Sequence, residues 1–160
     1  MDTLIVVRTI EGGPMIRWIA AGGVIGALCR YGLDVLVAGG RPLTPQDYPI
    51  ATLTINIIGC LAIGILAPLI LARPRWPYAR PFLITGVLGG FTTFSAFAAQ
   101  SGMFLVNGEF LRAGSYVALT LLGGLFAVWV GKGISTKIIG PIATKATMPP
   151  GQWLGEDGLP

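Results

Sequence analysis

Residues 89–97 read GGFTTFSAF and lie within one of the most apolar parts of the chain. Two glycines, two threonines and a serine work against a continuous helix there, and three phenylalanines interleave with them. Glycine permits non-helical backbone, and Thr92, Thr93 and Ser95 can cap a helix that restarts. A broken helix is tolerated at membrane depth where protein covers it or a cavity receives it. Its free carbonyls can coordinate a small cation, and its free N–H groups favour an anion. Phe94 and Phe97 are three apart, so a restarted helix carries them on one face. An aromatic ring is electropositive at its edge and can receive an anion there. Packing against lipid or a neighbouring helix is the plainer reading of such a pair.

The rest of the chain explains why a membrane is in question. Of its 160 residues, 53% are hydrophobic and only 11% are charged, with a mean hydropathy of +0.74. A soluble domain carries about a quarter charged residues, so the composition is that of an integral membrane protein. The 24 glycines fit this, because small residues let membrane helices approach closely. There is no histidine, which removes the commonest general base and metal ligand. Cys29 and Cys60 fall inside apolar runs and read as small packing residues. No nucleophile–base pair, phosphate loop or metal-ligand spacing stands out, so an enzyme is not expected. The net charge of +4 reflects loop topology in most membrane proteins and also mildly favours an anionic solute over a cationic one.

Four apolar spans follow one another, at 16–38, 50–72, 82–106 and 113–134, each near the twenty or so residues that a bilayer core requires. The connections GGRPLTPQDYP and RPRWPYARP are rich in proline and charge, and NGEFLR is a tight turn. The reading is all-α: a single four-helix membrane domain over 16–139, with the third helix broken near its centre. An N-terminal segment, 1–15, precedes it without a convincing cleavable signal, and Met15 is an alternative start. The Pro- and Gly-rich tail, 140–160, reads as disordered. Lys and Arg cluster on the side of the termini and the second connection, which the positive-inside rule assigns to the cytoplasm. Trp18, Trp76, Tyr78 and Trp129 sit near span ends, where aromatic belts form.

Polar residues inside the spans need a partner or a task. Thr52 and Asn56 share a helix face with Gly59 and Cys60. Asn56 offers two N–H donors near mid-membrane, and its plainer role is an interhelical hydrogen bond. Tyr116 and Thr120 form a hydroxyl stripe ending at Gly123 and Gly124. Their plainer roles are interfacial anchoring for Tyr116 and a bond to its own backbone for Thr120. Gly22 and Gly26 make a close-packing motif of low specificity. Arg30 and Asp34 are an i, i+4 pair, either snorkelling near the surface or placing a cation in a vestibule that concentrates anions. No Asp, Glu or Lys lies well inside a span; Asp34 and Glu109 are near ends. That weighs against a proton-coupled multidrug exporter, which needs a titratable membrane group. A non-transporting membrane assembly subunit is the other alternative.

Three motifs together resemble the CrcB/Fluc family of fluoride channels: GGVIGALCRY at 22–31, TLTINIIGCLAIG at 52–64 and GVLGGFTTFSAF at 86–97. The first is weak, the second moderate and the third specific, and their order and spacing cover about 22–124. The resemblance implies a multi-pass channel of the cell membrane that exports fluoride passively and protects against its toxicity. It implies an antiparallel dimer, two fluoride pores, and a structural Na⁺ at the dimer centre held by backbone carbonyls. By motif position those carbonyls are Gly89 and Thr92. The fluoride path takes Asn56, Phe94 and Phe97, with Thr93 and Ser95 beside it and Tyr116 and Thr120 as a hydroxyl track. Arg30 becomes structural or vestibular. The chain departs from the family pattern at Gln100, where many members have Glu, at Ala96, often a serine or threonine, and at Gly124, which ends the track. A chain that inserts both ways needs nearly balanced cations, and this one is not balanced. The partner is therefore either a second copy, as an antiparallel homodimer, or a homologous subunit of opposite topology.

Overall fold

A computed structural model of the chain describes residues 13–39, 47–72 and 77–139. The disordered-tail expectation for 140–160, most of the N-terminal segment, and Trp76 fall outside these residues. The described chain is helical: α1 (Gly13–Ala38), α2 (Ile50–Ala72), α3 (Arg80–Leu88, continued by the turn Gly89–Phe91), α4 (Phe94–Val106) and α5 (Phe110–Ile139). Four stretches are long and apolar enough to cross a bilayer: Met15–Ala38, Ile50–Ala72, Arg80–Val106 and Phe110–Ile139. The boundaries expected from hydropathy fall within a few residues of these, except that the last helix runs five residues further.

α3 is wound more loosely than an α-helix, with the Gly89 N–H reaching back to Ile84 O and Gly86 O. Such i→i+5 winding is rare and short in most proteins. The non-helical backbone that Gly89 and Gly90 permit is not found at the glycines themselves. Gly89 keeps helical dihedrals (φ −65°, ψ −36°). The extended residues are Thr92 (φ −78°, ψ 157°) and Thr93 (φ −144°, ψ 117°). Gly90 serves packing instead: a Cβ there would collide with the Gly23 carbonyl oxygen.

Two helix pairs make the bundle, α1 along α3 and α2 along α5. Both pairs meet backbone to backbone at glycine. On α1, a Cβ at Gly22 would strike Phe82 O and one at Gly26 would strike Val87 O. On the other pair, a Cβ at Gly64 would lie 2.5 Å from Val128 O, and one at Gly131 would lie 2.5 Å from Leu61 O. Small residues at such crossings supply the close packing that replaces a hydrophobic driving force between helices in lipid. The Gly22 and Gly26 motif is therefore a true packing motif, and Gly64 with Gly131 is its counterpart. α4 turns into α5 through a Schellman cap. Gly108 takes φ +75°, its N–H bonds Leu105 O at 3.1 Å, and the Glu109 N–H bonds Phe104 O at 2.8 Å. Large apolar residues such as Val24, Leu28 and Leu36 on α1, and Leu122, Leu125 and Trp129 on α5, are left on the outside, where lipid is an acceptable solvent.

The crossing yields a stability prediction. Gly131→Ala forces α2 and α5 apart and costs about 1–3 kcal/mol, the usual range for overpacking. Gly133→Ala, where nothing lies within 4 Å of the added carbon, does not destabilise and gains about 0.5–1 kcal/mol from alanine's helix preference. Thermal unfolding of the two variants in detergent checks this.

Candidate fluoride-path site

An extended residue inside a membrane-spanning segment must have its backbone groups satisfied by protein. Asn56, on α2, does this for Thr93. Its Nδ2 donates to Thr93 O at 3.1 Å, and its Oδ1 accepts from the Thr93 N–H at 2.9 Å. A carboxamide carries a donor and an acceptor side by side and needs no protonation to do so. The plainer sequence reading, an interhelical bond, is what the structure shows, and its partner is main chain. The Thr93 hydroxyl accepts from the Ala96 N–H at 3.2 Å and so forms the N-cap of α4. It also lies 3.2 Å from Ser95 Oγ. The Thr92 N–H and hydroxyl both go back to Leu88 O, at 2.9 and 2.8 Å.

These bonds divert two helical donors. In a continuous helix the Thr93 N–H would bond Gly89 O, and the Ala96 N–H would bond Thr92 O. Here one goes to Asn56 and the other to the Thr93 hydroxyl. The carbonyls of Gly89 and Thr92 thus lose these two i+4 donors.

Two clefts flank the extended pair. One, of about 400 Å³, is mostly apolar, and its lining includes Asn56, Gly59, Gly89, Thr93, Phe94 and Phe97. The other, of about 610 Å³, is lined by Arg30, Asp34, Thr52, Thr93 and Ser95. Thr93 borders both. Phe94 is 79% exposed, and its ring centroid is 5.8 Å from that of Phe97 at an interplanar angle of 47°. So large an exposed ring on this wall is either lipid-facing or met by a second subunit.

Tyr116 borders neither cleft. Its ring is 0% exposed, packed against Phe97 (5.5 Å), Tyr48 (5.8 Å) and Phe104 (6.3 Å). It is a core residue of the bundle and not the interfacial anchor of the plainer reading. Its hydroxyl donates to Gln100 Oε1 at 2.8 Å, and Gln100 Nε2 donates to Thr52 Oγ1 at 3.0 Å. This chain of bonds ties α5, α4 and α2 together behind the Phe97 ring. Thr120 bonds the Tyr116 carbonyl at 2.8 Å, as its plainer reading holds. Gln100 is the residue that sequence reasoning undervalued. An amide six residues after Phe94, inside an apolar span, is a signal in itself, but attention to charged groups alone passes over it.

Comparison of the sequence with known proteins shows the family. The CrcB-like (camphor resistance) family profile covers residues 17–132. The fluoride-specific ion channel FluC of Pseudomonas fluorescens is 42% identical over 119 residues, 74% of this chain and 94% of its own length. That of Paracoccus denitrificans is 45% identical over 120 residues, covering 72% and 93%. That of Azotobacter vinelandii is 43% identical over 114 residues, covering 71% and 90%. The matched region contains all four apolar spans almost whole, together with the Asn56–Thr93 pairing and both clefts, and this multi-pass membrane protein belongs to the CrcB family.

Proposed function

We propose that the chain is a fluoride-selective passive channel that exports cytoplasmic fluoride. The observation that carries this is the 42–45% identity to channels named for fluoride, with the family profile covering residues 17–132, among them those that build the two clefts. The chemistry supports it. Fluoride is small and holds water strongly, so a pore needs donors that replace that water without trapping the ion. Thr93 and Ser95 hydroxyls, the Asn56 amide and the edges of Phe94 and Phe97 are neutral donors of this kind. Arg30 supplies positive charge in the larger cleft, where it raises local anion concentration without a full cation deeper in the path. Passive flow is sufficient for defence, because HF crosses membranes as a neutral acid, dissociates inside, and leaves as the anion down its gradient.

On this reading the extended pair Thr92–Thr93 is the functional break of the third span. Ions pass from the Arg30 cleft, past the Thr93 and Ser95 hydroxyls, to the Phe94 and Phe97 edges. Tyr116 and Thr120 belong to the wall behind Phe97, where Gln100 and Thr52 hold Tyr116 in place. The functional unit is an antiparallel dimer with two pores, each lined by both subunits, and the exposed Phe94 ring faces the partner. The carbonyls of Gly89 and Thr92 fit a central Na⁺, two from each chain. Bound there, the ion supplies positive charge that holds the two broken segments together, while selection of the anion rests with the side chains of the path.

Purified protein in Na⁺-containing liposomes is expected to release fluoride and retain chloride; a fluoride electrode reads the first and a chloride electrode the second. Silence of the fluoride trace overturns the proposal. Phe94→Ile and Phe97→Ile each lower the flux at least tenfold with the subunit assembly intact by size-exclusion chromatography, and normal flux in both removes the ring edges from the path. Asn56→Leu leaves the Thr93 N–H and carbonyl unpaired, at about 1–3 kcal/mol for each group, and abolishes flux. Tyr116→Phe strands Gln100 Oε1, costs about 1–3 kcal/mol, and slows flux severalfold while the aromatic packing survives; thermal unfolding and the electrode measure the two effects separately.

A further inference from the structure

The larger cleft carries two charges, and both come from α1. Arg30 and Asp34 line it about one turn apart, each half-buried. Tyr31, the remaining titratable group on its walls, is neutral in the physiological pH range. Among the described residues, α2 and the start of α4 contribute the hydroxyls of Thr52, Thr93 and Ser95 and otherwise apolar side chains, with no charged or titratable group. Thr93 is the N-cap of α4, so the positive end of that helix's dipole opens on the same cleft as Arg30. Asp34 is therefore the one negative charge in a cleft otherwise arranged for an anion. Helix stability does not account for it. An acid and a base at i, i+4 support a helix best with the acid first, and here Arg30 comes first. A carboxylate toward a helix C-terminus also opposes the dipole, and α1 ends at Ala38. Asp34 lies within the membrane-crossing stretch Met15–Ala38, where an ionisable side chain marks an ion pathway by default. The Arg30 charge acts on Asp34. By reciprocity the carboxylate acts on Arg30, and on any anion that Arg30 attracts.

We infer that Asp34 limits the throughput of the channel: its carboxylate is a tethered anion that offsets Arg30 and restrains how far fluoride is concentrated in the larger cleft. The inference rests on the fluoride-channel reading proposed above. With Asp34 ionised, the pair sums to zero, and an entering anion meets the hydroxyls of Thr93 and Ser95 with little net attraction. With Asp34 neutral, Arg30 and the α4 dipole act unopposed, and the local anion concentration rises. The sign of the pH dependence follows. Protonation in the carboxylate range, near about 4, removes the negative charge while Arg30 keeps its own. Throughput per free fluoride ion therefore increases as pH falls. Tyr31 cannot produce this response, because it loses its proton only near about pH 10, and the walls from α2 and α4 hold nothing that titrates.

The test is made on purified protein in planar bilayers with Na⁺ and fluoride on both sides, where neutral HF carries no current. At low ionic strength, Asp34→Asn is expected to raise the fluoride current about two- to fivefold, while Asp34→Glu keeps the wild-type value. Sodium gluconate at about 1 M shortens the Debye length to about 3 Å and is expected to bring the wild-type and Asn currents within about 1.5-fold of each other. On acidification to about pH 4, the wild-type current rises toward that of the Asn variant, whose own current per free fluoride ion stays flat. An unchanged or lowered Asp34→Asn current at low salt overturns the proposal, as does a difference that ignores both salt and pH. If the Asn variant fails to assemble by size-exclusion chromatography, the wild-type pH response decides: a rise per free fluoride ion upholds the proposal, and a flat response overturns it. A wild-type chain that carries no fluoride current overturns the channel reading and this inference together. A conducting wild-type chain that is indifferent to the charge of Asp34 overturns this inference alone.

Discussion

The structure depends on one side chain answering one stretch of exposed backbone. Thr93 is extended inside a membrane-spanning segment, and a buried N–H or carbonyl left unpaired there costs several kcal/mol. The Asn56 amide takes both groups at once. That pairing fixes α2 against the junction of α3 and α4. It also lets the Thr93 hydroxyl cap α4, which sets the direction in which Phe94 and Phe97 project. The same diversion of donors takes the i+4 N–H groups away from the carbonyls of Gly89 and Thr92.

Around this junction the bundle uses two different forms of adhesion. Glycine lets α1 meet α3, and α2 meet α5, with main chain against main chain. α4 has no such crossing and is held by polar and aromatic contacts instead, the Tyr116–Gln100–Thr52 bonds and the rings of Tyr48, Phe97 and Phe104 around Tyr116. The distinction matters for the proposed path. Dispersion contacts at glycine crossings are rigid and featureless, whereas the α4 contacts place a phenylalanine ring at a set angle beside hydroxyl and amide donors. Gln100 fills this post without a titratable proton, so the network holds its arrangement without an ionisation step.

The four spans, the proline-rich connections and the tight turn before α5 were legible in the sequence because hydropathy, proline and glycine act locally. So was the importance of residues 89–97, since hydroxyls and glycines crowded into an apolar span demand an explanation wherever the neighbours lie. Gly22 and Gly26 were legible as packing residues by their spacing alone. The positions that sequence reasoning misplaced are those whose meaning depends on another helix. Gly89 and Gly90 suggested loose backbone, yet Gly90 is small because α1 passes directly against it. Tyr116 suggested an interfacial anchor, yet three rings from elsewhere in the chain enclose it.

By itself, the sequence determined that this chain lives in a bilayer, where it crosses, and which family it joins, because composition and motif order are properties of the chain alone. Only the tertiary structure decided which threonine is extended, that Asn56 serves main chain, and that Gln100 joins three helices. Each of these is a relation between residues far apart in sequence, set by how closely glycine lets the helices approach and by the requirement that every polar group inside the membrane find its partner in protein.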